Sequence, residues 1–381
     1  MKILYILKHN PWGIGGGCYA CRSYLELFTE IYKDADFDVL ICEEYTKDMK
    51  VTDFPNCKFI PVPPRNKFAQ YLSPITHILH RHQQIGTKML QQNPYDYCIF
   101  DHNSIAGSLV DLCKKRKVKT IVLNHNCELE YFRDNNSKLK NKLLLPSVRK
   151  NEKNAYLKCD YNIFLTEEDK EVFQQIYGTS KTHSIVGGCF LNKNETIEPN
   201  ITPFNTENPK IVISGTIGNV QNLDGINYFL DKLYPTLPHN VQIIIAGKNP
   251  PITLIERIKY YPNIQIIPNP KDILSIIRTC DIFLCPTRLG GGMKLRIMDG
   301  LRCCLPILTH KVSARGYKAF KRKGYLYQFE NEQEFSNAFH QLIKFIIATP
   351  NLKKDMAIYN ENITFEEKIK TFKVLFTSCT R

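Results

Sequence analysis

Along the first half of the chain, short apolar runs alternate with stretches whose apolar residues recur every three or four positions. The runs at 2–8, 37–42, 57–62, 96–101, 118–124 and 160–165 predict buried strands. The periodic stretches near 18–33, 68–92, 104–116, 139–158 and 167–177 predict helices. Residues 192–209 break this rhythm: Pro199, Pro203 and Pro209 stand among Asn, Thr and Glu with no period, as in a linker. The alternation then resumes, with strands predicted at 210–215, 241–246, 264–268, 281–285, 305–309 and 324–328. Helices are predicted near 222–233, 252–260, 271–279, 293–303 and 331–348, and a last one over about 362–378. Such alternation means parallel sheet with helices on both faces. The fold class is therefore α/β, with two Rossmann-like doubly wound domains, at 1–195 and 210–358, joined by a linker at 196–209. The segment 362–381 can pack back on the first domain.

Composition narrows the class. The chain has 381 residues, 43% hydrophobic and 23% charged, which excludes disorder, collagen and coiled coil as the main architecture. No apolar run reaches the ~18 residues of a spanning helix. The apolar stretch within Met1–Lys8 is too short for a signal peptide, so a cytoplasmic protein is expected. The fourteen cysteines are scattered and read as buried free thiols; Cys18-Tyr19-Ala20-Cys21 is one isolated Cys-x-x-Cys. Lys+Arg number 51 against 37 Asp+Glu, a net charge of +14 that favours acidic partners. Nucleic acid is not expected, because no basic stretch is interleaved with aromatics. Two basic, leucine-bearing segments, 65–92 and 138–158, allow two readings: contact with the inner face of an anionic membrane, or solvated helices with leucines in the core.

Ligands of doubly wound sheets bind outside the carboxyl ends of the strands, so the loops there hold the candidate chemistry. After the first strand comes His9-Asn10-Pro11-Trp12-Gly13-Ile14-Gly15-Gly16-Gly17, where Gly15, Gly16 and Gly17 let backbone amides approach a ligand. A dinucleotide fingerprint needs glycine at position 18, which is Cys18; Glu43 and Glu44 after the second strand keep an NAD(P)-dependent dehydrogenase as an alternative. The fourth and fifth strands end in Asp101-His102-Asn103 and Asn124-His125-Asn126-Cys127-Glu128. There His102, His125, Asn126 and Glu128 can bind a sugar hydroxyl or orient a reacting group, while helix capping is the plainer role for Asn103 and Asn126. Asp34-Ala35-Asp36 spells a metal-site Asp-x-Asp but precedes the second strand, at the wrong end of the sheet.

The most specific stretch is Leu289-Gly290-Gly291-Gly292-Met293-Lys294-Leu295-Arg296-Ile297-Met298-Asp299-Gly300. Three glycines are expected to open a helix whose amides face a phosphate. Lys294 would set a cation on a diphosphate, and Asp299, about 140° further round the same helix, would accept from ribose hydroxyls.

This stretch resembles the Gly-Gly-Gly-x-Arg-Leu-Lys-x-x-Glu-Ala signature of retaining, family-four type GT-B glycosyltransferases. The surrounding text agrees: Ile213-Ser214-Gly215-Thr216 resembles the donor-phosphate turn, and Asn222-Leu223-Asp224-Gly225 the following helix start. Ile244–Lys248, Pro306–Thr309 and Ser313–Tyr317 match further family segments in order, and His125–Glu128 resembles a His-Asn-x-Glu segment. The resemblance implies two domains facing across a cleft and a nucleoside-diphosphate-sugar donor of UDP or GDP type. It also implies a glycan or lipid-linked acceptor, no cofactor and no metal. It implies donor contacts from Gly215, Thr216, Lys248, Arg288, Gly290, Gly291, Gly292, Met293, Lys294 and Asp299. His125 and Lys294 are the catalytic candidates. Gly15, Gly16, Gly17, His102, Asn126 and Glu128 would serve the acceptor or a phosphate. The chain departs from the family in Asp299 for Glu, in Arg315 for a second acid, and in lacking a basic pair between Gly215 and Asp224; Lys248, Arg288 or Lys294 would supply that charge. A GT-B-like sugar-nucleotide epimerase would share the donor site and is the nearest alternative. Synthesis of cell-envelope polysaccharide or glycolipid is the family's common setting.

Overall fold

The computed structural model describes residues 1–13, 15–64, 77–135, 138–199 and 203–377. They divide into two units, the first formed by Met1–Asn194 with Phe365–Arg381 and the second by Glu195–Thr364.

The first unit is built on a seven-stranded sheet of order β3-β2-β1-β4-β5-β6-β7, every pair parallel. Its strands are β1 (Lys2–Ile6), β2 (Asp36–Cys42), β3 (Cys57–Val62), β4 (Tyr97–Phe100), β5 (Lys119–Asn124), β6 (Tyr161–Phe164) and β7 (His183–Val186). In β1, Ile3, Leu4, Tyr5 and Ile6 are all fully buried, as a strand covered on both faces requires. The described helices are α1 (Gly16–Ile31), α2 (His77–Gln92), α3 (Asn103–Ala106), α4 (Val110–Lys115), α5 (Glu128–Asn135), α6 (Lys138–Lys158) and α7 (Glu167–Tyr177). The second unit repeats the order in six strands, β10-β9-β8-β11-β12-β13. These are β8 (Lys210–Thr216), β9 (Gln242–Lys248), β10 (Ile264–Pro268), β11 (Ile282–Cys285), β12 (Ile307–His310) and β13 (Leu326–Phe329). Its helices are α8 (Val220–Tyr228), α9 (Ile252–Ile258), α10 (Ile273–Ile277), α11 (Arg296–Arg302), α12 (Lys318–Arg322), α13 (Glu332–Ala348) and α14 (Leu352–Asn360). The last helix, α15 (Phe365–Thr377), returns to the first unit, where Phe372 packs 6.1 Å from Tyr24 and Phe365 lies 6.4 Å from Phe190.

Several local readings need correction. The short edge strand β7 and the helices α5, α12 and α14 carry too few residues for a period to stand out. The helix expected at 104–116 is two pieces, and that expected at 68–92 is described only from His77. The start of the linker segment is anchored in the second unit: Arg302 donates to Thr196 O at 2.7 Å and to Glu198 at 2.6 Å, and Arg302 O accepts from Glu198 N at 2.8 Å. In α6, Leu144, Val148, Ala155 and Tyr156 are buried within the first unit, so part of its apolar content is core. Residues 65–76 of the other basic segment lie outside the described residues. No described helix is long and apolar enough to cross a membrane.

Candidate functional site

In both sheets the chain reverses direction beside the first strand, so the β1/β4 and β8/β11 junctions are the switch points where doubly wound sheets bind ligands.

In the second unit, β8 and β9 run in register to Gly215 opposite Gly247 and Thr216 opposite Lys248. A side chain at Gly247 would meet the carbonyl oxygen of Gly215 at 1.8 Å, so glycine is required for this close approach. Asn222 closes the turn, its Nδ2 donating to Thr216 O at 2.8 Å. Next to it, the loop after β11 turns through left-handed backbone at Gly290 (φ 82°) and Gly292 (φ 71°). The expected helix start is wrong here. Helix begins only at Arg296, so Lys294 precedes it and does not share a helix with Asp299. The glycines make a loop rather than a first turn.

Lys294 is buried inside that loop. Its Nζ donates to Gly291 O at 3.2 Å, Gly290 O at 3.3 Å and Gln221 Oε1 at 3.5 Å. Burial pushes its ammonium down to about 8, and the cations Arg296 and Arg315 push the same way, against Cys285. Arg296 reaches Thr287 Oγ1 at 3.2 Å, and its side chain lies 3.6 Å from where a Cβ on Gly215 would stand. This places Arg296 at the Gly215 turn, a position the sequence reading did not choose. Its signal was present, as the second basic residue of Lys-Leu-Arg. Arg288 is committed elsewhere: it donates to Asp224 at 2.9 and 3.1 Å and lies 4.6 Å over the Tyr228 ring. Lys248 and Thr216 are exposed at the strand ends, Gly291 faces open space, and Met293 is half-buried. Asp299 is half-buried; burial and Glu195 raise its carboxyl to about 7, against Arg302 and Arg296. The Ser313–Tyr317 segment backs the loop, with Ser313 Oγ donating to Thr287 O at 2.6 Å and Tyr317 OH to Lys294 O at 3.1 Å.

In the first unit, the ends of β1, β4 and β5 bring together Lys8, His9, Asp101, His102, His125 and Glu128. Gly15 (φ 128°) caps α1, which Gly16 opens; a side chain at Gly17 would strike the His9 ring at 2.9 Å. The ring centres of His9 and His102 are 5.9 Å apart, those of His9 and His125 5.6 Å, and those of His102 and His125 5.4 Å. Asp101 Oδ2 accepts from the backbone of Lys8 at 3.2 Å and His9 at 3.5 Å, while its Oδ1 lies 3.3 Å from His125 Nε2. Burial pushes Asp101 up, but His125, His9 and the Lys8 amide outweigh it and hold the carboxyl below its ordinary value. Burial lowers His9 to about 4 and drives His102 well below the usual range. The Ser104 amide donates to His102 Nδ1 at 3.2 Å, while His102 Nε2 lies 3.3 Å from Lys8 Nζ and 3.4 Å from Glu128 Oε1. Lys8 Nζ stands 3.5 Å from Glu128 Oε2. Among the described residues, none gives Asp101 Oδ1, His125 Nε2 or Asn126 Oδ1 a hydrogen bond of good geometry, and all three atoms are buried. Beside the cluster, a cavity of about 620 Å³ is lined by Ser104, Glu128, Phe132, Val148, Asn151 and Leu157, among others. Among the described residues, no group of three His, Cys, Asp or Glu is placed to hold a metal ion.

Residues 208–344, which include the whole glycine loop, match the family of glycosyl transferases group 1. Solved structures of similar fold include glycosyltransferases. Anabaena HepE in complex with UDP aligns over 99% of this chain and 100% of its own, with 14% identity and a TM-score of 0.64. Sucrose-phosphate synthase from Thermosynechococcus elongatus covers 100% and 99%, with 11% identity and a TM-score of 0.71. WaaG, a glycosyltransferase involved in lipopolysaccharide biosynthesis, covers 98% and 99%, with 12% identity and a TM-score of 0.65. No curated protein matches the chain in sequence.

Proposed function

We propose that this GT-B glycosyltransferase moves a sugar, a hexose, from a nucleoside diphosphate to a hydroxyl of a glycan or lipid-linked acceptor, with retention at the anomeric carbon. Lys294 and Arg296, set at the glycine loop and the Gly215 turn, carry this reading. The bond from the anomeric carbon to the diphosphate oxygen breaks, its electron pair stays on the leaving diphosphate, and the acceptor oxygen takes its place. Two cations at a buried loop stabilise the charge that develops on the leaving group, and the proposed reaction uses no metal. Lys294 rests on carbonyls of its own loop until an anion draws it away. Asp299 takes the ribose hydroxyls. The acceptor binds in the first unit, in the cavity beside Glu128, and its proton passes to the His125–Asp101 pair or to water.

The UDP in the HepE structure supports a uridine donor, and the role of WaaG in lipopolysaccharide synthesis supports a cell-envelope product. A cytoplasmic enzyme that visits the inner membrane face fits a lipid-linked acceptor. The test is to incubate the protein with UDP- and GDP-sugars and a panel of glycan and lipid-linked acceptors, with and without a chelator, and follow nucleoside diphosphate and glycoside by mass spectrometry. Equal amounts of both products, unaffected by chelation, are expected. An epimerised donor with no glycoside would replace the transferase by an epimerase.

A further inference from the structure

Glu152, on α6, is fully buried, and it lies in neither the glycine loops nor the histidine cluster. Its two oxygens meet only donors. Oε1 accepts from the Glu128 backbone N–H at 2.7 Å and from Asn103 Nδ2 at 3.0 Å. Oε2 accepts from Tyr177 OH at 2.6 Å, from the Leu129 N–H at 3.3 Å and from Cys127 Sγ at 3.6 Å. One carboxylate thus ties α3, α5, α6 and α7 together. It holds the amides that open α5, the helix whose first residue, Glu128, faces His102 and Lys8.

We propose that Glu152 is a positioning residue: as a carboxylate it fixes the first turn of α5 and so places Glu128 against His102 and Lys8, next to the acceptor cavity. The role rests on the reading of that cluster as the acceptor side, but its structural half stands alone. Five donors ask for an acceptor-only group. A protonated acid or an amide would turn a donor toward at least one of them and lose that bond. The titratable groups facing Glu152 are Glu128, Cys127 and Tyr177, with Arg149 beyond Tyr177. Burial raises its carboxyl to about 7, against the bonds from Tyr177 and the two amides. The grip is accordingly full only well above pH 7, half lost near it and looser still below.

Backbone amide exchange of residues 127–131 tests this without turnover. At pH 8, Glu152→Gln is expected to lose roughly tenfold in protection there, the worth of about one hydrogen bond, while the second unit is unchanged. Glu152→Asp is expected to recover part of it. In the transfer assay the acceptor KM is expected to rise in Glu152→Gln, and the acidic fall of kcat/KM expected of the wild type to disappear. Should Glu152→Gln not fold, Tyr177→Phe takes its place; losing one donor shifts the acidic fall to higher pH. Full protection in the variant that folds would overturn the proposal. Loss of protection in a protein that transfers no sugar would instead overturn the functional reading and leave the positioning role intact.

Discussion

In the first unit, the described strand ends at the switch point carry three histidines, Asp101 and Glu128, with Lys8 among them. In the second, the corresponding ends carry Lys294 and Arg296 at a glycine loop, with Arg288 held by Asp224. The two sheets share one strand order, and their central strands are buried alike. What differs is the loop text, and with it the sign of the charge that each site can receive. A cationic loop with left-handed glycines suits a diphosphate. A neutral His102 beside Glu128 and a His125–Asp101 pair suit hydroxyls and a moving proton. One scaffold thus presents two chemically different sites through its loops.

The sharpest way to break this contrast is to remove a cation of the second unit. Lys294→Ala and Arg296→Ala are each expected to lower the transfer rate by roughly 10²–10³-fold, with circular dichroism unchanged. His125→Ala is expected to cost about 10²-fold in kcat while the nucleotide still raises the melting temperature fully. If His125→Ala abolished nucleotide binding, the division of labour would collapse.

A pH series sharpens the comparison next. Because burial holds Lys294 at about 8, nucleoside diphosphate affinity measured by calorimetry should fall as pH rises above 8. Lys294→Arg should flatten that fall. Between pH 8 and the ordinary lysine value of 10.5, the unfolded chain binds more protons here, so this residue's contribution to stability rises with pH across that window. Smaller effects separate the loop glycines. Gly292→Ala, at φ 71°, should cost about 1–2 kcal/mol in urea unfolding, whereas Gly291→Ala, in open space, should be near neutral. Least of all, Asp299→Asn should remove a slope. The folded chain holds the extra proton between the ordinary 3.8 and about 7, so wild-type stability at this residue falls as pH rises through that range.

The alternation of strands and helices and the glycine loop were legible because long apolar runs and Gly290–Gly292 declare themselves locally. Partners were not. His125 and Glu128 are visible in the sequence, but Asp101, 24 positions before His125, and Lys8, 120 positions before Glu128, reach them only through the packing of β1, β4 and β5. Glu152 sat unremarked in a basic helix, where nothing in the period distinguishes a buried acid. The helix start was misread for a local reason. Glycines at 290 and 292 adopt left-handed backbone, and Lys294 folds back on their loop instead of extending a first turn.

The central claim is that the second unit binds a nucleoside diphosphate through its glycine loop. A thermal-shift series with UDP, GDP, ADP, UDP- and GDP-sugars, NAD and NADP, on wild type and Lys294→Ala, tests it most directly. The account predicts that one nucleoside diphosphate and its sugars raise the wild-type melting temperature, and that Lys294→Ala abolishes the rise. A shift with NAD or NADP alone, unchanged in Lys294→Ala, would contradict it and point to the first glycine loop instead.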